Sequence, residues 1–258
     1  MSNAYSNIFS PSITVHSQLK ITLKGIAMST MTLEHKDGIH VLTLTNNETE
    51  NQLTQDVANE YLQALETVEQ YKGKTALLIT CEDQKTFSTG INLQWLIKQT
   101  YDGQKKFVNT LEQVFYRLAL LNAPTVICMN GNTYAGAAVL ACCGDFRVMR
   151  ADRGRFCFPE VNIKIPFTPM MMEVIKILPN QHALKHMALV GTAYTGQQCK
   201  EFNLVDDIYP MEELQLKALE LAKQLATKDR ATYTSIKLGL RADILKHKNS
   251  IFEDFKNK

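Results

Sequence analysis

"TVICMNGNTYAGAAVLACCGDFRVM", residues 125–149, decides the fold class. "TVICM" is an unbroken run of apolar and β-branched residues, as in a strand covered on both faces. "GNTYAG" supplies turn residues, and Gly136 opens an apolar helix in "AAVLACC". "DFRVM" then returns to a strand. The same alternation continues upstream. "TALLITC" reads as a buried strand, "TFSTGINL" as a glycine-containing turn into a helix, and residues 104–121 as an amphipathic helix that stops before Pro124. Earlier still, "GIHVLTLT" has the period of a strand. Thr54 offers an N-cap to a helix whose face repeats Leu53, Val57, Leu62, Leu65 and Val68. Downstream lies "FCFPEVNIKIPF", residues 156–167, and from about residue 180 the text is helical. Alternation followed by helices predicts an α/β core with a helical C-terminal region, without internal repeats or low-complexity linkers.

Composition sets the outer bounds. The chain has 258 residues, 45% hydrophobic, enough for one substantial core, and its net charge is +2. That near-neutral balance argues against a nucleic-acid or membrane-surface protein. No apolar run reaches the length of a membrane span. The six cysteines form no CxxC pair and sit among apolar neighbours, so they read as buried hydrophobes of a reducing, cytoplasmic compartment. "MSNA" reads as the scar of an expression tag, and residues 1–30 as a flexible extension. They carry no acid, as an organelle-targeting peptide would, but no arginine either, which disfavours that reading. "FKNK" at the C-terminus is not a peroxisomal address.

The chemistry resides in two turns and one acid. Gly90 in "FSTGINL" permits a turn that exposes the N–H of Ile91. Gly136 stands at a helix start, where unpaired N–H groups and the positive dipole end favour an anion. Two N–H groups converging on one oxygen would form an oxyanion hole. Glu160 follows Pro159 in otherwise aromatic and aliphatic text. It is either a solvated loop acid or a carboxylate held dry among Phe158, Val161 and Ile163, which would raise its pKa.

Taken together, "FSTGINL", "NGNTYAGAAVLACCGDFRVM" and "RFCFPEVNIKIPF" resemble, in order, the signature blocks of the crotonase (enoyl-CoA hydratase/isomerase) superfamily. "GTAYTGQQCKEFNLVDDIYP" is similar to that family's later helix–turn segment, so the resemblance runs from about residue 31 to the end. It implies a ββα superhelix core over 31–195 and a helical C-terminal trimerisation region over 196–258, giving a homotrimer or a dimer of trimers. It implies an acyl-CoA thioester as substrate in fatty-acid metabolism, without a cofactor or metal. Ile91 and Gly136 match the oxyanion donors and Glu160 the general acid/base. Ser88, Gly90, Ile91, Asn92, Leu93, Tyr134 and Gly136 match the substrate-binding positions.

The departures carry information too. The glycine triplet is reduced to Ala135, Gly136 and Ala137, and Asn92 replaces an aspartate. Val139 stands where the family's hydratases carry a second glutamate. The spacing from Asp145 to Glu160 looks most like one branch of Δ3,Δ2-enoyl-CoA isomerases. The resemblance therefore implies a single-glutamate isomerase acting on 3-enoyl-CoA. Two alternatives stay open: an enoyl-CoA hydratase, and a non-catalytic acyl-CoA-binding member of the superfamily. His182 and His186 have a zinc-like spacing but lack an HExxH glutamate and a third ligand. Met170–Met172 either line an acyl pocket or fill the core.

Overall fold

A computed structural model describes residues 26–27 and 30–252. The strands are β1 (Ile26–Ala27), β2 (Met31–Lys36), β3 (Ile39–Leu44), β4 (Ala76–Cys81), β5 (Thr86–Ser88), β6 (Thr125–Met129), β7 (Asn132–Tyr134), β8 (Phe146–Arg150), β9 (Phe156–Cys157) and β10 (Asp207–Tyr209). The helices are α1 (Gln55–Gln70), α2 (Leu93–Leu96), α3 (Tyr101–Ala119), α4 (Gly136–Cys143), α5 (Glu160–Ile163), α6 (Pro169–Ile175), α7 (Gln181–Val190), α8 (Gly196–Glu201), α9 (Met211–Ala226), α10 (Arg230–Leu240), α11 (Ala242–Leu245) and α12 (Lys248–Phe252).

Two sheets organise the chain. The larger runs β1-β2-β3-β4-β6-β8-β10 and the smaller β5-β7-β9. β1–β2 and β2–β3 are antiparallel, and all other pairings are parallel. Each of β4, β6 and β8 is followed by a strand of the small sheet and then by a helix. The chain thus climbs in ββα turns, the superhelix expected from the signature blocks, although no repeat is visible in the sequence.

Side-chain alternation explains why the central strands read as continuous apolar runs. On one face Leu77, Ile79, Ile127 and Met129 pack with α1, α3, α4 and α6 in the main core. On the other, Ala76, Leu78, Val126 and Cys128 meet Leu214, Ala218, Ala222 and Leu225 of α9. Both faces are dry, so neither needs polar residues. All six cysteines are free and buried. Thr54 caps α1, its hydroxyl accepting from the Val57 N–H.

Three features differ from the sequence reading. β2 is a strand, joined to β3 by a turn with left-handed Asp37 (φ 53°) and Gly38 (φ 79°). β10 lies beyond residue 195 yet pairs with β8, so the main sheet crosses the expected boundary of the core. Most of the expected extension, residues 1–30, lies outside the described residues. Within it Ile26–Ala27 pair with β2, and Thr30 donates to the Glu60 carboxylate at 2.6 Å. Among the described residues no helix is long and apolar enough to cross a membrane.

Candidate active site

The small sheet ends where the two glycine turns meet. β5 delivers Gly90 and Ile91, β7 delivers Tyr134 to Gly136, and β9 leads through Pro159 to Glu160. A cavity of about 290 Å³ opens between them, lined by Ile91, Asn92, Leu93, Tyr134, Gly136 and Glu160 among others. Six of the expected site residues are therefore brought together.

Two backbone donors face this space. Leu53 bridges Ile91, with the Leu53 N–H donating to the Gly90 carbonyl (2.8 Å) and the Asn92 N–H to the Leu53 carbonyl (3.0 Å). Strand alternation turns the Ile91 N–H the other way. Gly136 is the first residue of α4, so its N–H has no partner within the helix. The two amides are close: a Cβ built on Gly136 would lie 3.8 Å from the Ile91 nitrogen. Gly90 makes that approach feasible. It takes φ +83°, and a Cβ there would come within 2.9 Å of the Gly136 nitrogen. Ala135, the N-cap of α4, has φ 51° and ψ −128°, a conformation suited to glycine. Holding an alanine there costs about 1–3 kcal/mol.

Glu160 is 8% exposed and begins α5. Its Oε2 is buried without a hydrogen-bond partner. Burial pushes its pKa up to about 7, with the Glu160 backbone N–H pulling the other way. Its charge in turn helps raise the Cys157 thiol, after burial as the main cause. Phe158 is fully buried, while Val161 and Ile163 on the short helix α5 are 46% and 40% exposed, Ile163 lining the cavity beside Glu160.

Two expected binding residues are corrected. Ser88 is buried behind the wall, its hydroxyl donating to the Asn51 carbonyl (2.7 Å) and accepting from the Gly90 N–H (3.1 Å). Gly90 likewise does not line the cavity. Both shape the turn. Asn92 lines the cavity and also caps α2, its side-chain oxygen accepting from the Trp95 N–H at 2.9 Å. Val139 is 1% exposed within the main core, and Glu160 is the one carboxylate among the cavity-lining residues.

Sequence reasoning missed Gln52, Thr89, Gln94 and Ile165, which also line the cavity. The Thr89 hydroxyl is buried without a protein partner. Gln52 arrives there after Glu50 and Asn51, both left-handed (φ 54° and 51°), a bend that the polar run "NNETENQ" was able to signal. Met170 and Met171 belong to the core, whereas Met172 is only partly buried. The His182 and His186 rings lie 4.7 Å apart at a tilt of 55°, and no group of three metal-ligating residue types forms among the described residues.

The family model for enoyl-CoA hydratase/isomerase matches residues 34–254. A Thermus thermophilus relative that bears an enoyl-CoA hydratase name is 32% identical over 205 residues, covering 76% of this chain and 79% of its own. The Arabidopsis thaliana protein named peroxisomal enoyl-CoA delta isomerase 2 is 28% identical over 225 residues, covering 83% and 92%. Among solved structures, an enoyl-CoA hydratase from Mycobacterium ulcerans superposes with TM-score 0.78 at 24% identity, covering 84% of this chain and 93% of that one. Sequence match, fold and the meeting of the two glycine turns agree: this chain belongs to the enoyl-CoA hydratase/isomerase family, within the crotonase superfamily.

Proposed function

We propose that the protein is a Δ3,Δ2-enoyl-CoA isomerase, moving the double bond of a 3-enoyl-CoA to give trans-2-enoyl-CoA. The observation that carries this reading is a single carboxylate in the cavity, with Val139 sealed in the core where a second acid would be needed. Hydration requires one group to activate water and another to protonate the α-carbon. Isomerisation requires one base twice.

In this mechanism the thioester oxygen accepts from the Ile91 and Gly136 N–H groups. Glu160 removes a proton from C2, the electrons move into a dienolate, and charge collects on the thioester oxygen. The two amides hold that charge, and each is worth about a hundred- to a thousandfold in rate. Protonated Glu160 then returns the proton at C4, and the C2–C3 double bond forms. A pKa near 7 suits both halves, since neither taking nor giving the proton is strongly uphill. The apolar wall keeps water from the dienolate. Assembly as a homotrimer or dimer of trimers, through the C-terminal helices, belongs to the same proposal.

The test offers both substrates, 3-enoyl-CoA and trans-2-enoyl-CoA, and identifies products by mass, because hydration adds a water. Isomerisation should be the faster reaction. Glu160→Gln keeps size and burial and should lower isomerisation by about a hundredfold or more. Rapid hydration by the unsubstituted protein overturns the isomerase reading. Tight acyl-CoA binding with neither reaction would instead place the chain in the non-catalytic class.

A further inference from the structure

Consecutive backbone amides of Thr89, Gly90, Ile91 and Asn92 run along one wall of the cavity, and all but one are engaged by the protein itself. The Thr89 N–H donates to the Glu50 carbonyl (3.2 Å), the Gly90 N–H to the Ser88 hydroxyl (3.1 Å) and the Asn92 N–H to the Leu53 carbonyl (3.0 Å). The Ile91 N–H alone makes no hydrogen bond among the described residues.

Gly90 lies at the centre of this selection and has the most freedom to undo it. Its φ is +83°, and without a Cβ the peptide planes on either side of it swing easily. Each plane is pinned from outside. The one before Gly90 carries the Gly90 N–H, which Ser88 holds. The one after it carries the Gly90 carbonyl, which accepts from the Leu53 N–H at 2.8 Å. A trans peptide is flat, with its C=O and N–H pointing opposite ways, so gripping the Gly90 carbonyl aims the Ile91 N–H away from Leu53.

The two pins are tied to each other. The Ser88 hydroxyl, while accepting from Gly90, donates to the Asn51 carbonyl at 2.7 Å, and Asn51 Nδ2 donates back to the Phe87 carbonyl at 3.0 Å. Both residues are buried, Ser88 2% and Asn51 4% exposed. Position 88 thus requires one small group that gives and takes a hydrogen bond at once, which a hydroxyl does and an alkyl group does not. Asn51 is itself left-handed (φ 51°), a conformation that asparagine tolerates.

We propose that Ser88 and Asn51 are positioning residues for catalysis. Neither lines the cavity. They lock the peptide planes around Gly90, so that Ile91 presents the one amide of this run to the thioester oxygen. This rests on the reading of Ile91 as an oxyanion donor.

Ser88→Ala and Asn51→Gly each open one half of the clamp, and glycine keeps the left-handed backbone accessible. Each variant should lower kcat for 3-enoyl-CoA by about tenfold to a hundredfold, short of losing the donor outright, with KM within about threefold. The direct readout is the infrared band of butanoyl-CoA carrying carbon-13 at its thioester carbonyl, a saturated ligand that does not turn over. Binding to the unsubstituted protein should move the band to lower frequency, because the donors draw charge onto the oxygen. Each variant should lose at least about half of that displacement, since a hydrogen bond weakens steeply as its angle falls. Circular dichroism confirms that the protein measured is folded, and Asn51→Gly carries the test where Ser88→Ala does not fold. Unchanged kcat with an unchanged band overturns the positioning role. Lowered kcat with the full displacement does so too, as the mark of a merely structural side chain. A band that does not move even with the unsubstituted protein removes the oxyanion reading, and this proposal with it. A displacement that both variants keep in full removes the proposal alone.

Discussion

Burying the Glu160 carboxyl costs stability, and pH exposes the cost. Its folded pKa, about 7, lies above the 4.5 of a free glutamate, so the native state holds an extra proton between those limits. Stability therefore falls as pH rises through that window, by on the order of 2–3 kcal/mol. Buried His40 acts oppositely. Its pKa is pushed down to about 4, by burial first and then by the His35 and Arg230 charges. Its neutral form contributes stability that is present above about pH 6.5 and lost as pH falls toward 4. The windows overlap and offset each other. Glu160→Gln should remove one side, so denaturation at pH 4.5, 6 and 8 should show the variant gaining on the parent as pH rises. A constant difference across that range would mean that Glu160 titrates normally. In activity, kcat/KM should rise with pH to a plateau above about 7, as the carboxylate becomes free to accept a proton. Ile91, Gly136 and Glu160 were legible because each sits beside a residue that dictates backbone form. Gln52, Thr89 and Ile165 were not, because they reach the cavity from separate segments and carry no local mark of doing so.

At the scale of elements, α4 presents Gly136 at one end and is held at the other. Arg241 donates to the carbonyls of Ala119, Cys143 (2.8 Å) and Gly144 (2.9 Å), satisfying groups at the C-terminal end of α4. Asp145 pairs with Lys237 at 2.7 Å and Arg241 at 3.1 Å, and accepts from the Tyr233 hydroxyl at 3.0 Å. Lys237 also donates to the Leu121 and Ala123 carbonyls. Both cations are buried, so removing one strips partners from buried carbonyls and leaves Asp145 with less compensating charge. Arg241→Met should cost about 3–5 kcal/mol in urea unfolding, compared with under about 1 kcal/mol for removing an exposed pair such as Lys246–Asp243. A loss under 1 kcal/mol for Arg241→Met would mean that Arg241 does not brace the far end of α4. Helices α1 and α3 were legible from their periodicity, and β4 and β6 from their unbroken apolar runs. β7 and β10 were missed because each spans only three residues. β2 alternates buried Met31 and Leu33 with outward residues, and Asp37-Gly38 after it is a hairpin signal that went unread.

Across the whole molecule, α10 leaves Ile236 and Leu240 59% and 83% exposed, on the same C-terminal region expected to join subunits. Light scattering at micromolar concentration should give three or six times the chain mass, and a persistent monomer would refute that assembly. The division of the chain was only partly legible, because β10 returns from the helical third to close the sheet beside β8. Parallel pairing with a distant strand leaves no mark in a local window. The bracing of α4 by Arg241 has a further consequence, in time rather than in space. Arg241 lies 98 residues after Cys143, whose carbonyl it satisfies. At synthesis rates of about 5–20 residues per second, the helix that carries Gly136 is made about 5–20 s before its far end can be capped. The nascent chain therefore carries its Gly136 turn without that brace until almost its last residues emerge, and a ribosome stalled short of Arg241 holds a helix whose Cys143 carbonyl still lacks its partner.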